Sequence, residues 1–240
     1  MSQITPTILY EDQHLLVVNK PAGLVVHSDG RTKEATLDNW VQEKYPELKD
    51  VGGLHTLDSG RYVARWGIVH RLDRETSGVI LIAKDDDTFY FLQHQFLNHT
   101  IVKTYNAFML GTPVSDKGVV DIPIGRSRSD FRRWTTGADA RGTLRSATTR
   151  YHVLDSRREF SFVELSPKTG RTHQLRVHMK ALGYPILCDA RYGTPTGLGF
   201  TRLALHARSI KIKLPDGEQK TFTAPLPEDF LFAQKLFFEL

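Results

Sequence analysis

The sequence predicts an α+β fold. Two observations carry this. Strand-like and helix-like stretches are interspersed without a regular strand–helix–strand rhythm. The strands are short apolar or alternating runs, whereas the helical stretches place apolar residues on one face. The 240 residues, 40% of them hydrophobic, suffice to bury a sizeable core, as one large domain or two small lobes.

Residues 15–19 (LLVVN) read as a short buried strand stopped by Pro21 and Gly23, with a turn over 19–23 and extended chain again over 24–27. From Ser28 to Trp66 the composition is polar and glycine-bearing, with one short helix near 37–44 and a loop at Gly52-Gly53. A β-prone run covers 79–83. Asp85 or Asp86 is placed to cap a helix carrying Phe89, Leu92 and Phe96. Residues 101–110 alternate as a strand, and 160–165 form another, ended by Pro167 and Gly170. Thr172 is suited to cap a helix with Leu175, Met179 and Leu182 on one face, stopped by Gly183 and Pro185. Ile210, Ile212 and Leu214 alternate with lysines, as on a half-exposed strand, and the tail 229–240 is an amphipathic helix through Phe230, Ala233, Phe237 and Leu240.

The N-terminus has neither a positive start nor a long apolar run, so no signal peptide is expected. No stretch approaches the roughly 20 apolar residues of a membrane helix. The lone Cys188 excludes an internal disulfide and a cysteine-based zinc site, and reads as a small buried hydrophobe. A soluble cytoplasmic protein is the expectation. The formal charge of +5 is mild. Its distribution is more telling: the segment 126–145, read as a loop, holds six arginines against two aspartates, with Phe131 and Trp134 interleaved. Arginines beside aromatic rings suit phosphates and unstacked bases.

The most informative stretch is IVHRLDRETSGVILIAK (68–84). It sets one carboxylate, Asp73, between Arg71 and Arg74, in a polar loop that feeds a buried strand. An opposite charge within a few ångströms favours an ionised carboxylate. A metal centre is not expected: His173 and His178, five apart, would point about 140° away from each other on a helix, and H-E-x-x-H is absent. Glu75 and Glu164 give a two-carboxylate glycosidase no second acid paired in sequence with Asp73. Phosphate-loop and dinucleotide fingerprints are also missing.

Several strings, in order, resemble the RluA family of RNA pseudouridine synthases: NKPAGLVVH (19–27), HRLDRETSG (70–78), KTYNAFMLG (103–111), LSPKTGRTHQLRVHMKALGYPILCDARYG (165–193) and LALHA (203–207). The resemblance implies a sheet-centred, mainly antiparallel fold in two lobes with an RNA-binding cleft, together forming one catalytic domain over 1–240. It implies no cofactor and no metal, an RNA substrate (ribosomal or transfer RNA), and a monomer. Asp73 becomes the catalytic group, acting at ribose C1′ as nucleophile or at C2′ as base. Arg171 pairs with it and orients it, and Tyr105 stacks on the base and assists loss of the C5 proton. Arg71 becomes a wedge or phosphate clamp, Leu205 lines the uracil pocket, and Lys20 meets RNA or a buried carboxylate. Arg128, Arg132, Arg133 and Trp134 are then RNA contacts. Many relatives carry an N-terminal S4 module; this chain begins at the catalytic domain, and 28–66 reads as an insertion against substrate. The competing class is a non-catalytic RNA binder, which has no need of Asp73, Tyr105 and Arg171 together.

Overall fold

The computed structural model describes residues 4–27, 34–56, 60 and 62–240. Parts of the expected insertion, 28–33, 57–59 and 61, lie outside the described residues. The chain divides into two compact units, Met1–Ile101 with Ser209–Pro225, and Val102–Arg208 with Leu226–Leu240.

In the first unit, β1 (Thr7–Glu11), β2 (Leu15–Lys20) and β5 (Ser77–Ala83) form an antiparallel sheet, with Leu15 opposite Ala83 and Lys20 opposite Gly78. Between them come α1 (Leu37–Lys44) and a small hairpin of β3 (Leu54–Thr56) and β4 (Tyr62–Ala64). After Lys20 the chain keeps only an isolated bridge at Val25 rather than the extended run expected over 24–27. All seven residues of β5 are buried, which its unbroken apolar run requires. α2 (Asp86–Leu97) begins at Asp85, whose carboxylate accepts the Thr88 N–H at 2.7 Å. Gly67 adopts φ 68°, and a Cβ there would collide with the Ala83 carbonyl, so only glycine lets this loop lie on the end of β5.

The second unit holds an antiparallel sheet in the order β6 (Val102–Leu110), β12 (Phe160–Pro167), β11 (Thr148–Arg157), β7 (Lys117–Asp121). The arginine-rich segment is a loop only over 128–133. Its residues build a second sheet of β8 (Ile124–Ser127), β9 (Trp134–Thr136) and β10 (Ala140–Arg145), in the order β10-β8-β9. α3 (Gln174–Ala181) follows β12. Its N-cap is His173, in the left-handed conformation with φ 57°, rather than Thr172. β13 (Leu205–Lys213) leaves this unit, and from Ser209 onward belongs to the first, where it pairs with β14 (Gln219–Thr223). α4 (Glu228–Phe238) closes the chain on the second unit, burying Phe230, Ala233 and Phe237. Leu240, beyond its end, stays exposed.

Each unit has its own core. Leu15, Val17, Val79, Leu81, Leu92 and Ile210 pack in the first. In the second, Phe108 is fully buried with Phe200, Phe230 and Phe237 rings 5.6–5.8 Å away. Truncating such a phenylalanine typically costs about 3–5 kcal/mol. Among the described residues no helix is long and apolar enough to cross a membrane.

Candidate active site

The loop that carries Asp73 is anchored on both sides. Leu72, Thr76 and Ser77 are buried, and the Thr76 N–H donates to the Asp73 carbonyl at 3.1 Å, closing a turn that begins at the aspartate. The next carbonyl, of Arg74, accepts from the Gly23 N–H (2.9 Å) and from Lys20 Nζ (3.1 Å). Two strings some 50 residues apart, NKPAG and HRLDRETSG, are thereby one structure, and Gly23 makes the turn at φ 86°. His70 adds a further tie: its Nε2 accepts the Leu81 N–H at 3.0 Å, which places any single ring proton on Nδ1. Asp73 itself is half-buried at the rim of this turn.

Two expected roles change here. Lys20 is fully buried and donates to the carbonyls of Pro21, Leu24 and Arg74, so it fixes the turn and cannot touch RNA. The Arg74 guanidinium pairs with Glu34 (2.8 Å) and Glu75 (3.6 Å), not with Asp73, because the side chain runs out over the surface. Arg71 is exposed, and makes no hydrogen bond or ion pair among the described residues.

In the second unit Tyr105 lies on β6 opposite Leu165, half-buried against the core. The turn after β12 is held by one residue that sequence reasoning missed, Gln174. Its Oε1 accepts from the Thr169 hydroxyl (2.7 Å) and the Arg171 N–H (3.0 Å), and its Nε2 donates to Thr148 O and Thr149 Oγ1, both at 3.0 Å. Thr149 continues the chain to His178 Nδ1 (2.9 Å), whose Nε2 reaches the Ile122 carbonyl (2.9 Å). A carbonyl can only accept, so Nε2 carries a proton, and in the neutral ring Nδ1 receives the Thr149 hydroxyl. With His178 neutral the whole chain has one polarity. Burial lowers the His178 pKa in the same sense. The bound turn presents Arg171, whose Nε donates to the Ser146 carbonyl at 3.1 Å.

α3 is further locked by a buried bidentate pair, Arg176 with Asp189, both contacts 2.7 Å. Removing one partner of such a pair typically costs about 3–5 kcal/mol. His173 and His178 serve protein partners, since His173 Nδ1 meets the Tyr192 hydroxyl at 2.9 Å. Cys188 is only partly buried, and its thiol donates to the Phe200 carbonyl. Leu205, at the start of β13, is 3% exposed and packs in the second core.

The small sheet explains its arginines. Arg126 stacks on Trp134, 4.6 Å from the ring centre, and Phe131 is exposed. Arg132 and Arg133 share Asp130 (3.1 and 3.5 Å), while Arg128 Nε donates to the Ala140 carbonyl. Arg128, Arg133, Trp134, Lys180 and Tyr192 line a groove of about 480 Å³. Lys180 and Tyr192 were not foreseen there, because they come from α3 and the segment beyond it.

Known RNA pseudouridine synthases are similar to this chain. The model of the RNA pseudouridylate synthase family matches residues 14–181. An uncharacterised RNA pseudouridine synthase of Bacillus subtilis is 40% identical over 223 residues, 92% of this chain and 69% of its own. The ribosomal large subunit pseudouridine synthase D of Zymomonas mobilis is 38% identical, covering 95% and 72%. Among solved structures, human RNA pseudouridylate synthase domain containing 4 superposes with a TM-score of 0.71 at 31% identity, covering 95% of this chain and 91% of that one.

Proposed function

This chain belongs to the RNA pseudouridylate synthase family, and from that premise we propose that Asp73 carries the isomerisation of uridine in large-subunit ribosomal RNA. The observation that supports Asp73 most is its setting. A half-buried carboxylate heads a turn that is pinned from two sides, by Lys20 and Gly23 and by the buried start of β5. A group held in that way is preorganised for one geometry. Ribosomal RNA is favoured over transfer RNA because relatives at 35–38% identity carry the name of a ribosomal large subunit synthase.

The reaction breaks the N1–C1′ bond, turns the uracil, joins C5 to C1′ and releases the C5 proton. It leaves the oxidation state unchanged, so it calls for no electron carrier. Asp73 acts on the ribose, at C1′ as nucleophile or at C2′ as base. Tyr105 faces the base, and Arg171 orients the carboxylate. A uridine in a stem must first be extruded, at a few kcal/mol, and the exposed Arg71 guanidinium is suited to hold the opened strand. Tritium release from ribosomal and transfer RNA labelled at uridine C5 tests the substrate. Release from the ribosomal transcript is expected; release from transfer RNA alone would overturn that choice.

A further inference from the structure

Lys103 stands two residues before Tyr105, so the two side chains share one face of β6. Its only hydrogen bond among the described residues is long: Nζ donates to the Thr169 carbonyl at 3.3 Å. An ammonium has three donors, and no carboxylate among the described residues lies within ion-pair distance of this one. The titratable and charged residues carried by its own strand, the adjoining turn 168–171 and the second-unit part of neighbouring β13 are Tyr105, Lys168, Arg171, His206 and Arg208. None is an acid. On β12, Glu164 pairs with Asn106, on the opposite face.

Withdrawal from water without a counter-charge pulls the Lys103 pKa from 10.5 to about 8. Exposed Gly170 lies beside it, where a Cβ would stand 3.7 Å from Nζ, so the glycine leaves one side of the ammonium without a side chain.

We infer that Lys103 is an RNA-binding residue whose ammonium receives a phosphate of the strand at or beside the reacting uridine. This rests on the proposed placement of Tyr105 and Arg171 at that uridine. The protein leaves an anion-shaped need next to its catalytic-strand tyrosine, and the substrate is a polyanion. Binding then fixes the proton on Lys103, so affinity is flat below about pH 8 and weakens up to tenfold per unit above it. A lysine that merely held the Thr169 turn would instead alter thermal stability and leave binding alone.

The test is filter binding of an unmodified large-subunit ribosomal RNA hairpin transcript from pH 6.5 to 9 at fixed ionic strength. For the wild-type protein Kd should hold to about pH 8 and rise about tenfold by pH 9. Lys103→Gln should bind about tenfold more weakly at pH 7, show no such rise, and lose about 0.7–0.9 of the log–log salt slope. Lys103→Arg, charged throughout, should match wild type at pH 7 and stay flat to pH 9. The same Kd and pH profile for wild type and Lys103→Gln would overturn the inference. If Lys103→Gln does not fold, a rise above pH 8 that persists in Lys103→Arg would do so. Binding is read without turnover, so a failure of Asp73 as the catalytic group would leave this result standing.

Discussion

Lys20 and Lys103 are both withdrawn lysines on strands, one in each unit, and they are provided for very differently. Lys20 Nζ has three carbonyls at 2.8–3.1 Å and welds the first turn to the loop of Asp73. Lys103 Nζ has one carbonyl at 3.3 Å. A buried cation fully surrounded by acceptors is part of the framework. One with acceptors missing is unfinished until a ligand arrives, and the fold carries its cost in the meantime.

The comparison is broken or sharpened by substitution. Lys20→Met keeps the stem and removes three donors, so thermal or urea denaturation should show a loss of roughly 2–4 kcal/mol. A stability equal to wild type would mean that the carbonyls find water and that the contrast is false. Lys103→Met should do the reverse. The folded pKa of about 8 lies below the unfolded 10.5, so charging Lys103 opposes folding below pH 8. That penalty is relieved as pH rises from 8 to 10.5. The variant should be more stable than wild type by up to ~3 kcal/mol at pH 7, with the gap closing by pH 10.5.

The exposed arginines of the turn between β8 and β9 form an intermediate case, since Asp130 already pairs Arg132 and Arg133. Replacing Arg128, Arg132 and Arg133 with alanine should flatten the salt dependence of RNA binding by about one to two units. Turnover at saturating RNA should survive. An unchanged slope would show that these side chains face away from RNA. The smallest effect belongs to His178, whose pKa is lowered by burial. The unfolded chain then binds the proton more readily, so stability should be complete above pH 6.5 and decline as pH falls below it. A pH series of melting temperatures in which His178→Gln lacks this decline would confirm the neutral state in which the Thr149–Gln174 chain has one polarity.

Elements with a strong periodic pattern were legible in the sequence. β2, α1, α2, β6, β12 and α4 lie within a residue or two of their expected bounds, because each buries an unbroken or alternating apolar set. β8–β10 were not legible. β10 exposes five of its six residues, and the sheet is held by Ile124, Ala140, Ala147 and one face of Trp134, too few to make a pattern. The start of α3 was misplaced because Thr172 is the better cap by residue type, whereas the chain enters the helix through His173 in the left-handed conformation with no side-chain cap. In the site, the motif strings pointed to Asp73, Tyr105 and Arg171. Whether a nearby cation was engaged could not be read. Arg74 looked like a partner of Asp73 and belongs to Glu34, and nothing in the sequence singled out Lys103.

The central claim is that Asp73 performs the chemistry on an RNA that the rest of the molecule holds. It is tested most directly by single-turnover tritium release from ribosomal RNA labelled at uridine C5, comparing wild type with Asp73→Asn and measuring RNA affinity alongside. Wild type should release tritium. Asp73→Asn should release none, with Kd within about tenfold of wild type, equivalent to ~1.4 kcal/mol. Release by Asp73→Asn at the wild-type rate would contradict the account.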